Sequence, residues 1–326
     1  MEETLDNFSN NNSSQHAFIR ESSQEETDYS SQNSLGRSLL NNKLISFCLI
    51  LSLMVFFGVI ICEKNKVFSR FMPRLRGHIS LQNNYIVTSI EHRFPVLIRS
   101  NDPNISDQLR YGSSSKSIFD DAASSLCTTG STVVEVSARY GYNAIVLGQI
   151  LKSGGKYIAI ESNPIVARCL YKNIILNDLS RTVEIVRKSV SDHQGTCTVE
   201  DVVSDSSEDG SKGLITKKLK AECDSLDGIL QGRAVSLILI DVSSYVFDIL
   251  RGANKTIESS TGNLQILVNL DLDEISKSVN VRRELSSLRQ LGMRFYEVTS
   301  ATDIRAIGID EIIEKNKLIV LMKKEK

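Results

Sequence analysis

The sequence predicts an α/β domain, a mainly parallel sheet with helices on both faces, preceded by a disordered tail and one transmembrane helix. Three observations carry this reading. Residues 1–43 are crowded with Ser, Asn, Gln, Glu and Asp; residues 44–62 contain no charge; and from residue 85 onward short β-branched runs alternate with helical patterns at the spacing of β-α units.

The tail, residues 1–43, holds too few apolar groups to offset the entropy of ordering, so it is expected to be disordered. The run "LISFCLILSLMVFFGVIIC", Leu44 to Cys62, has no polar face. As a helix it would be ~28 Å long at ~1.5 Å per residue, which matches a bilayer core. It starts far from the terminus and ends Cys62-Glu63-Lys64, with no small-residue cleavage site, so it reads as an uncleaved anchor in a lipid bilayer. Residues 63–84 form a basic juxtamembrane linker, with Lys64, Lys66, Arg70, Arg74 and Arg76 against only Arg37 and Lys43 before the span. The positive-inside rule then places the C-terminal domain, residues 85–326, in the cytoplasm. The alternative is a lumenal domain in a Golgi or ER membrane, where Asn104-Ile-Ser and Asn254-Lys-Thr would be glycosylation sequons.

The 38 basic and 39 acidic side chains leave a net charge of −1, so no global field recommends nucleic acid as a partner. The six cysteines form no C-x-x-C pair and the four histidines are scattered, so no metal site is expected. Cys48 and Cys62 sit in the apolar run as small hydrophobes; pairing among the other four cannot be read from sequence.

In the folded part, "STVVEV" is a buried first strand. Ala144 to Leu151 reads as a short helix closed by Gly154-Gly155, and "KYIAI" as the second strand. Asn163 then caps a helix with Pro164 at its first position, where the missing N–H costs nothing, and the helix runs to about Asn177. "TVEIVRKSV", "VSLILID" and "LQILVNL" follow as strands three to five, and "MRFYEVT" and "KLIVLMK" as an antiparallel pair that finishes the sheet. Residues 200–220, rich in Ser, Gly and charge, break the rhythm and read as a flexible insertion, with Lys217, Lys218 and Lys220 solvated. His193, in "SDHQGT", reads as a surface histidine in a polar hairpin turn.

Ligands of an open parallel sheet bind outside the carboxyl ends of its strands, where Glu135, Glu161 and Asp241 fall. Glu161, 26 residues after Glu135, is placed to accept hydrogen bonds from two ribose hydroxyls. "VSARYGY" has one glycine, whereas a dinucleotide site needs G-x-G-x-x-G for the pyrophosphate. The pattern E-x-S-x-x-x-G therefore suits a cofactor without phosphate, such as S-adenosylmethionine, better than NAD.

The segments "STVVEVSARYGYNAI", "KYIAIESNPIVARCLYKNIILNDL", "VEIVRKSVSDHQGTCTV", "CDSLDGIL" and "LILIDVSSYVFDILRGANKTI" resemble, in order and spacing, the FkbM-type S-adenosylmethionine-dependent methyltransferases. The resemblance runs from about Ile86 to Lys324 and is most specific in its middle. It implies a Rossmann-like methyltransferase fold and O-methyl transfer to a hydroxyl acceptor, either a small molecule or a membrane-proximal group. By position it implies Glu135, Ser137 and Gly141 at the methionine end of the cofactor, Glu161 at the ribose, and Ser189 with Val190 near the adenine. Asp241 would lie beside the methyl group, where a carboxylate orients or deprotonates a hydroxyl.

Two departures stand out. Ser137 replaces the family's glycine, which disfavours positive φ and narrows the backbone approach. After Asp241 the family's Glu-Gly-x-Glu is replaced by Ser243-Ser244-Tyr245-Val246, so Tyr245 becomes the candidate substrate contact. An active methyltransferase is the expectation. A catalytically inactive binding or scaffold domain is the alternative, and an NAD-dependent oxidoreductase stands behind both.

Overall fold

The computed structural model describes residues 79–81, 85–91, 93–103, 105, 117–206, 212–242, 244–260 and 262–324. All of these residues belong to one compact unit. The polar tail and the Leu44–Cys62 anchor lie outside the described residues. Among the described residues no helix is long and apolar enough to cross a membrane.

Strand β1 (Ile79–Leu81) pairs antiparallel with β2 (Tyr85–Ile90), which pairs with β3 (Phe94–Arg99). The expected linker 63–84 therefore ends in a strand, because Ile79-Ser80-Leu81 finds a partner edge in residues 85–87. Helix α1 (Ile118–Leu126) opens with a capping box: the Ser117 hydroxyl accepts from the Asp120 amide, and the Asp120 carboxylate accepts from the Ser117 amide.

The central sheet then builds in β-α steps, as the alternation predicts: β4 (Thr132–Val136), α2 (Tyr142–Leu151), β5 (Lys156–Ile160), α3 (Pro164–Leu176) and β6 (Val183–Val186). Asn163 caps α3 as expected, its side-chain oxygen accepting from the amides of Ile165 and Val166. The expected third strand is shorter than "TVEIVRKSV". It breaks at Arg187-Lys188, and β7 (Ser189–Ser191) leaves the central sheet for a second one.

That second sheet holds the largest correction. Residues 200–206 and 212–220, expected as a flexible insertion, are instead strand, the greater part of β8 (Gly195–Ser206) and β9 (Lys212–Ser225), which pair as a hairpin, with β9 also pairing in parallel with β7. The register runs unbroken from Gly195↔Cys223 to Ser206↔Lys212. Both hairpin strands are widely exposed and so carry polar and charged residues, which hides their period-two pattern from a search for buried strands. A disulfide between Cys197 and Cys223 fastens the root of the hairpin.

The remainder comprises α4 (Leu226–Leu230), β10 (Leu237–Ile240), α5 (Val246–Arg251), α6 (Asn254–Ser259), β11 (Gln265–Asp271), α7 (Leu272–Ile275), α8 (Val281–Gln290), β12 (Met293–Val298), β13 (Ile304–Ala306), α9 (Ile309–Ile313) and β14 (Lys317–Lys324). The strand order is β13-β12-β14-β11-β10-β4-β5-β6. The strands β6, β5, β4, β10 and β11 are parallel, while β14 inserts antiparallel between β11 and β12, the finishing pair that the sequence suggests.

Period-two alternation splits the core in two. Val134, Val136, Ile158, Ile160, Ile238 and Ile240 face α4 to α9. Val133, Tyr157, Ala159, Leu237 and Leu239 face α1 to α3 and the β1–β3 meander. Chain order reverses direction between β4 and β10, and a doubly wound sheet opens its ligand crevice at such a switch point.

Candidate functional site

The turn after β4 has an unusual backbone. Ser137, Arg139 and Gly141 all have positive φ, at 65°, 51° and 88°, alternating with residues of ordinary hand. Ser137 thus adopts the conformation that glycine favours, without being glycine. At Gly141 a Cβ would lie 2.5 Å from Leu170 Cδ1, so any larger residue there would combine positive φ with a forced shift of a buried leucine. The Ala138 amide donates to the Ile160 carbonyl (2.9 Å) and the Gly141 amide to the Ala138 carbonyl (2.8 Å), tying the turn to β5 and to itself. The Arg139 amide, left over, donates to Glu161 Oε2 at 2.8 Å.

Glu161 directly follows β5 and is 5% exposed. Its other oxygen, Oε1, accepts from the Asn163 amide at 2.8 Å. Two backbone donors use one lone pair on each oxygen, so each carboxylate oxygen keeps capacity for a further donor. Burial pushes this carboxyl above its ordinary value, and the Asn163 and Arg139 amides oppose the rise.

A cavity of about 450 Å³ opens above Glu161. The turn contributes Ser137 and Arg139, β7 contributes Ser189 and Val190, the β8 strand forms a side wall, and Tyr245 stands at the start of α5. Tyr245 is 39% exposed, and its hydroxyl is pushed up to about 12 by burial and by the Glu161 carboxylate.

Of the residues singled out in the sequence, Ser137, Glu161, Ser189, Val190 and Tyr245 line this cavity, while Glu135, Gly141 and Asp241 do not. Glu135 alternates with Val134 and Val136 and so points to the α2 side of the sheet. There Oε1 accepts from Asn143 Nδ2 (3.0 Å) and Oε2 from the Tyr157 hydroxyl (2.7 Å). It supports the turn from beneath. Asp241 is exposed at the end of β10, where its Oδ1 accepts from Asn269 Nδ2 on β11 at 3.0 Å. The two residues expected at the catalytic edge are thereby distinguished: Tyr245 lines the cavity with Glu161, and Asp241 is bonded to Asn269 outside its lining.

Sequence reasoning missed Arg99, Asp102 and Asp201, which also line the cavity. The signal for Asp201 lay in "TVEDVV", where an acid shares a strand face with Val199 and Val203. His193, Cys197 and Cys223 come close together, but the cysteine sulfurs are bonded to each other and are not thiolate ligands. His193 is exposed in the β7–β8 turn, its ring nitrogen Nδ1 next to Asp192 Oδ1 (2.8 Å) and Ser191 Oγ (3.0 Å).

Residues 135–295 match the family model of the methyltransferase FkbM domain. This stretch of the chain belongs to that family. The FkbM domain thus begins within β4 and ends in β12, and it takes in the turn, Glu161, the hairpin and Asp241. No curated protein matches the chain.

Among solved structures, the domain is similar to P. horikoshii TYW2 in complex with MeSAdo, at 10% identity and a TM-score of 0.41, over 75% of this chain and 72% of that one. It is also similar to precorrin-6y C5,15-methyltransferase from Geobacter metallireducens, at 11% identity and 0.38, over 64% and 87%. A third likeness is a protein of the NADB-Rossmann superfamily from Streptococcus agalactiae, at 13% identity and 0.38, over 65% and 69%. At these TM-scores the likenesses carry no weight in the fold assignment, which rests on the strand order.

S-adenosylmethionine is the cofactor of the FkbM domain. The residues present fit it. The cavity falls within the ~300–1,000 Å³ of small-ligand sites. A buried carboxylate with spare acceptor capacity forms its floor, and an aromatic ring borders it.

Proposed function

We propose that the domain binds S-adenosylmethionine with its ribose on Glu161 and transfers the methyl group to a hydroxyl acceptor at the Asp241 edge. The cofactor supplies an electrophilic methyl group when bound. Glu161 is held by two backbone amides and accepts hydrogen bonds from the ribose hydroxyls. Ser189 and Val190 border the adenine, Ser137 and Arg139 the methionine portion, and Tyr245 covers the nucleoside rather than touching the acceptor. Asp241, oriented by Asn269, takes the acceptor proton as the oxygen attacks. The observation that carries this reading is Glu161 itself, a buried carboxylate on the floor of the cavity with acceptor capacity left over.

The second reading is a binding or scaffold domain that does not turn the cofactor over. Its support is the position of Asp241, outside the cavity and without a second carboxylate from the Ser243 to Val246 stretch. Calorimetry of the full chain in detergent, followed by transfer of an isotopically labelled methyl group to hydroxyl acceptors, separates the two. Glu161→Gln is expected to weaken S-adenosylmethionine binding at least about tenfold, since a hydrogen bond to a charged group contributes ~1.5–3 kcal/mol. Unchanged affinity would remove Glu161 from the cofactor site. Cofactor binding that never yields transfer would favour the scaffold.

Anchoring through residues 44–62 belongs to the same proposal. The basic collar supports a cytoplasmic domain. The Cys197–Cys223 disulfide supports the lumenal alternative, because disulfides persist in oxidising compartments. Protease protection in sealed vesicles decides between them: a shielded domain is lumenal and a cleaved one cytoplasmic.

A further inference from the structure

We propose that Asp201, carried on the β8–β9 hairpin, is a positioning residue for Glu161, so that the hairpin wall of the cavity and the grip on the cofactor are set together. The inference rests on the cofactor reading of Glu161 above.

The hairpin lies outside the central sheet. Among the described residues its attachments include parallel pairing of β9 with β7, the Lys188 ammonium donating to Glu222 and Asp224 of β9, a hydrogen bond from the Ser204 amide to the Asn101 carbonyl at 2.7 Å, and a buried polar junction at Asp201. A strand this exposed normally turns its acids outward. Asp201 turns inward and is 3% exposed.

At the junction it meets Arg99, the last residue of β3, itself 6% exposed. The contact is a two-pronged fork, Arg99 Nη1 to Asp201 Oδ2 at 3.1 Å and Nη2 to Oδ1 at 2.8 Å. Oδ1 also accepts from Asn163 Nδ2 at 2.8 Å. Burial alone would raise this carboxyl, but the Arg99 and Asn163 hydrogen bonds outweigh it and hold Asp201 below its ordinary value. Asp201 is thus charged in the folded domain.

Asn163 passes the constraint on. Its side-chain oxygen is committed to the amides of Ile165 and Val166, and its side-chain nitrogen to Asp201. With both ends of the amide fixed, the backbone N–H of Asn163 is fixed as well, and it is this N–H that donates to Glu161 Oε1. The path Arg99, Asp201, Asn163, Glu161 joins the meander, the hairpin, the α3 cap and the end of β5 through hydrogen bonds of 3.1 Å or less. It also places the hairpin wall at the cavity, since residues 197–202 line it. Loss of the Asp201 carboxylate should release the wall and loosen Glu161 together.

A double-mutant cycle on the full chain in detergent separates this role from plain structural support. Asp201→Asn is expected to weaken S-adenosylmethionine binding about tenfold when Glu161 is intact, and less than about twofold when combined with Glu161→Gln, because a residue acting through another adds nothing once that other is altered. Asp201→Asn leaves the buried Arg99 charge without its counter-ion, so a second variant guards against misfolding. Arg99→Met with Asp201→Leu replaces the pair by apolar groups of similar size, a change that is often neutral for stability. It should keep the wild-type melting temperature within a few degrees and still bind about tenfold more weakly. Equal losses from Asp201→Asn whether Glu161 is intact or carries the Glu161→Gln change, or undiminished binding by the apolar pair, would overturn the positioning role while leaving Glu161 in the cofactor site. A wild-type chain that binds no S-adenosylmethionine would overturn the cofactor reading and this inference with it.

Discussion

Replacing Ser137 by glycine should stabilise the domain, an unusual direction for a substitution that deletes side-chain atoms. Ser137 has φ of 65°, in the left-handed region, where a residue with a Cβ is strained by ~1–2 kcal/mol. Glycine relieves that strain but adds freedom to the unfolded chain, which takes back ~0.4–1 kcal/mol. The hydroxyl contributes little in return, since the side chain lines an open cavity and is half-buried. The net expectation is a gain of ~0.5–1 kcal/mol. For a domain of this size that raises the melting temperature by ~1–4 °C. Differential scanning calorimetry in the absence of cofactor measures it, with urea denaturation as the check that both proteins unfold in one step. A fall in melting temperature of more than about 2 °C would refute the reasoning, because it would mean that the serine hydroxyl makes a contact worth more than the backbone strain. Retention of φ above zero by serine also explains how a turn without the family's glycine keeps the shape that brings the Arg139 amide to Glu161.

Two further outcomes follow from the supports of the site. Burial pushes the Glu135 carboxyl from 4.5 up to about 8, against its hydrogen bonds from Asn143 and Tyr157, so the native state keeps a proton that the unfolded chain releases. Stability is then fully present below pH 4.5 and lost as pH rises toward about 8, at up to ~1.4 kcal/mol per pH unit; Glu135→Gln, with no proton to lose, should flatten the profile between these limits in urea titrations, and parallel profiles would contradict it. Cys223→Ser opens a disulfide between residues 26 apart and should lower stability by ~3 kcal/mol, a loss that a thiol reductant reproduces on the wild-type protein; indifference to reductant would argue that the cross-link is not formed in solution.

The separation of Tyr245 from Asp241 alters how the substituted Ser243 to Val246 stretch is understood. Tyr245 caps α5 and lines the cavity together with Glu161, so the proposed function assigns it to the nucleoside. In that proposal the acceptor edge falls to Asp241 and Asn269, hydrogen-bonded to each other at the neighbouring parallel strands β10 and β11. Tyr245 and Asp241 stand four positions apart in the sequence, which suggests a shared task; in the structure Tyr245 lines the cavity, whereas Asp241 lies outside its lining and is bonded to Asn269.

What the sequence determined by itself was the local part of this protein. Buried parallel strands are continuous β-branched runs, and helix ends carry Asn, Pro and Gly for reasons internal to the backbone, so β4, β5, β10, β11, the α3 cap and the acid at the end of β5 were legible from residues within a few positions of each other. What only the tertiary structure decided was long-range. Glu135 was expected in the cofactor pocket because its position in the strand matched, but alternation turned it to the helix side of the sheet, toward Asn143 and Tyr157. Residues 200–206 and 212–220 read as a flexible insertion because an exposed ribbon needs no apolar face, and their order comes from cross-strand pairing. The meeting of Arg99, Asp201 and Asn163 joins three segments separated by up to 102 residues. No local preference encodes such a contact, because its driving force, pairing buried charges at the wall of a cavity, exists only after the chain has folded around it.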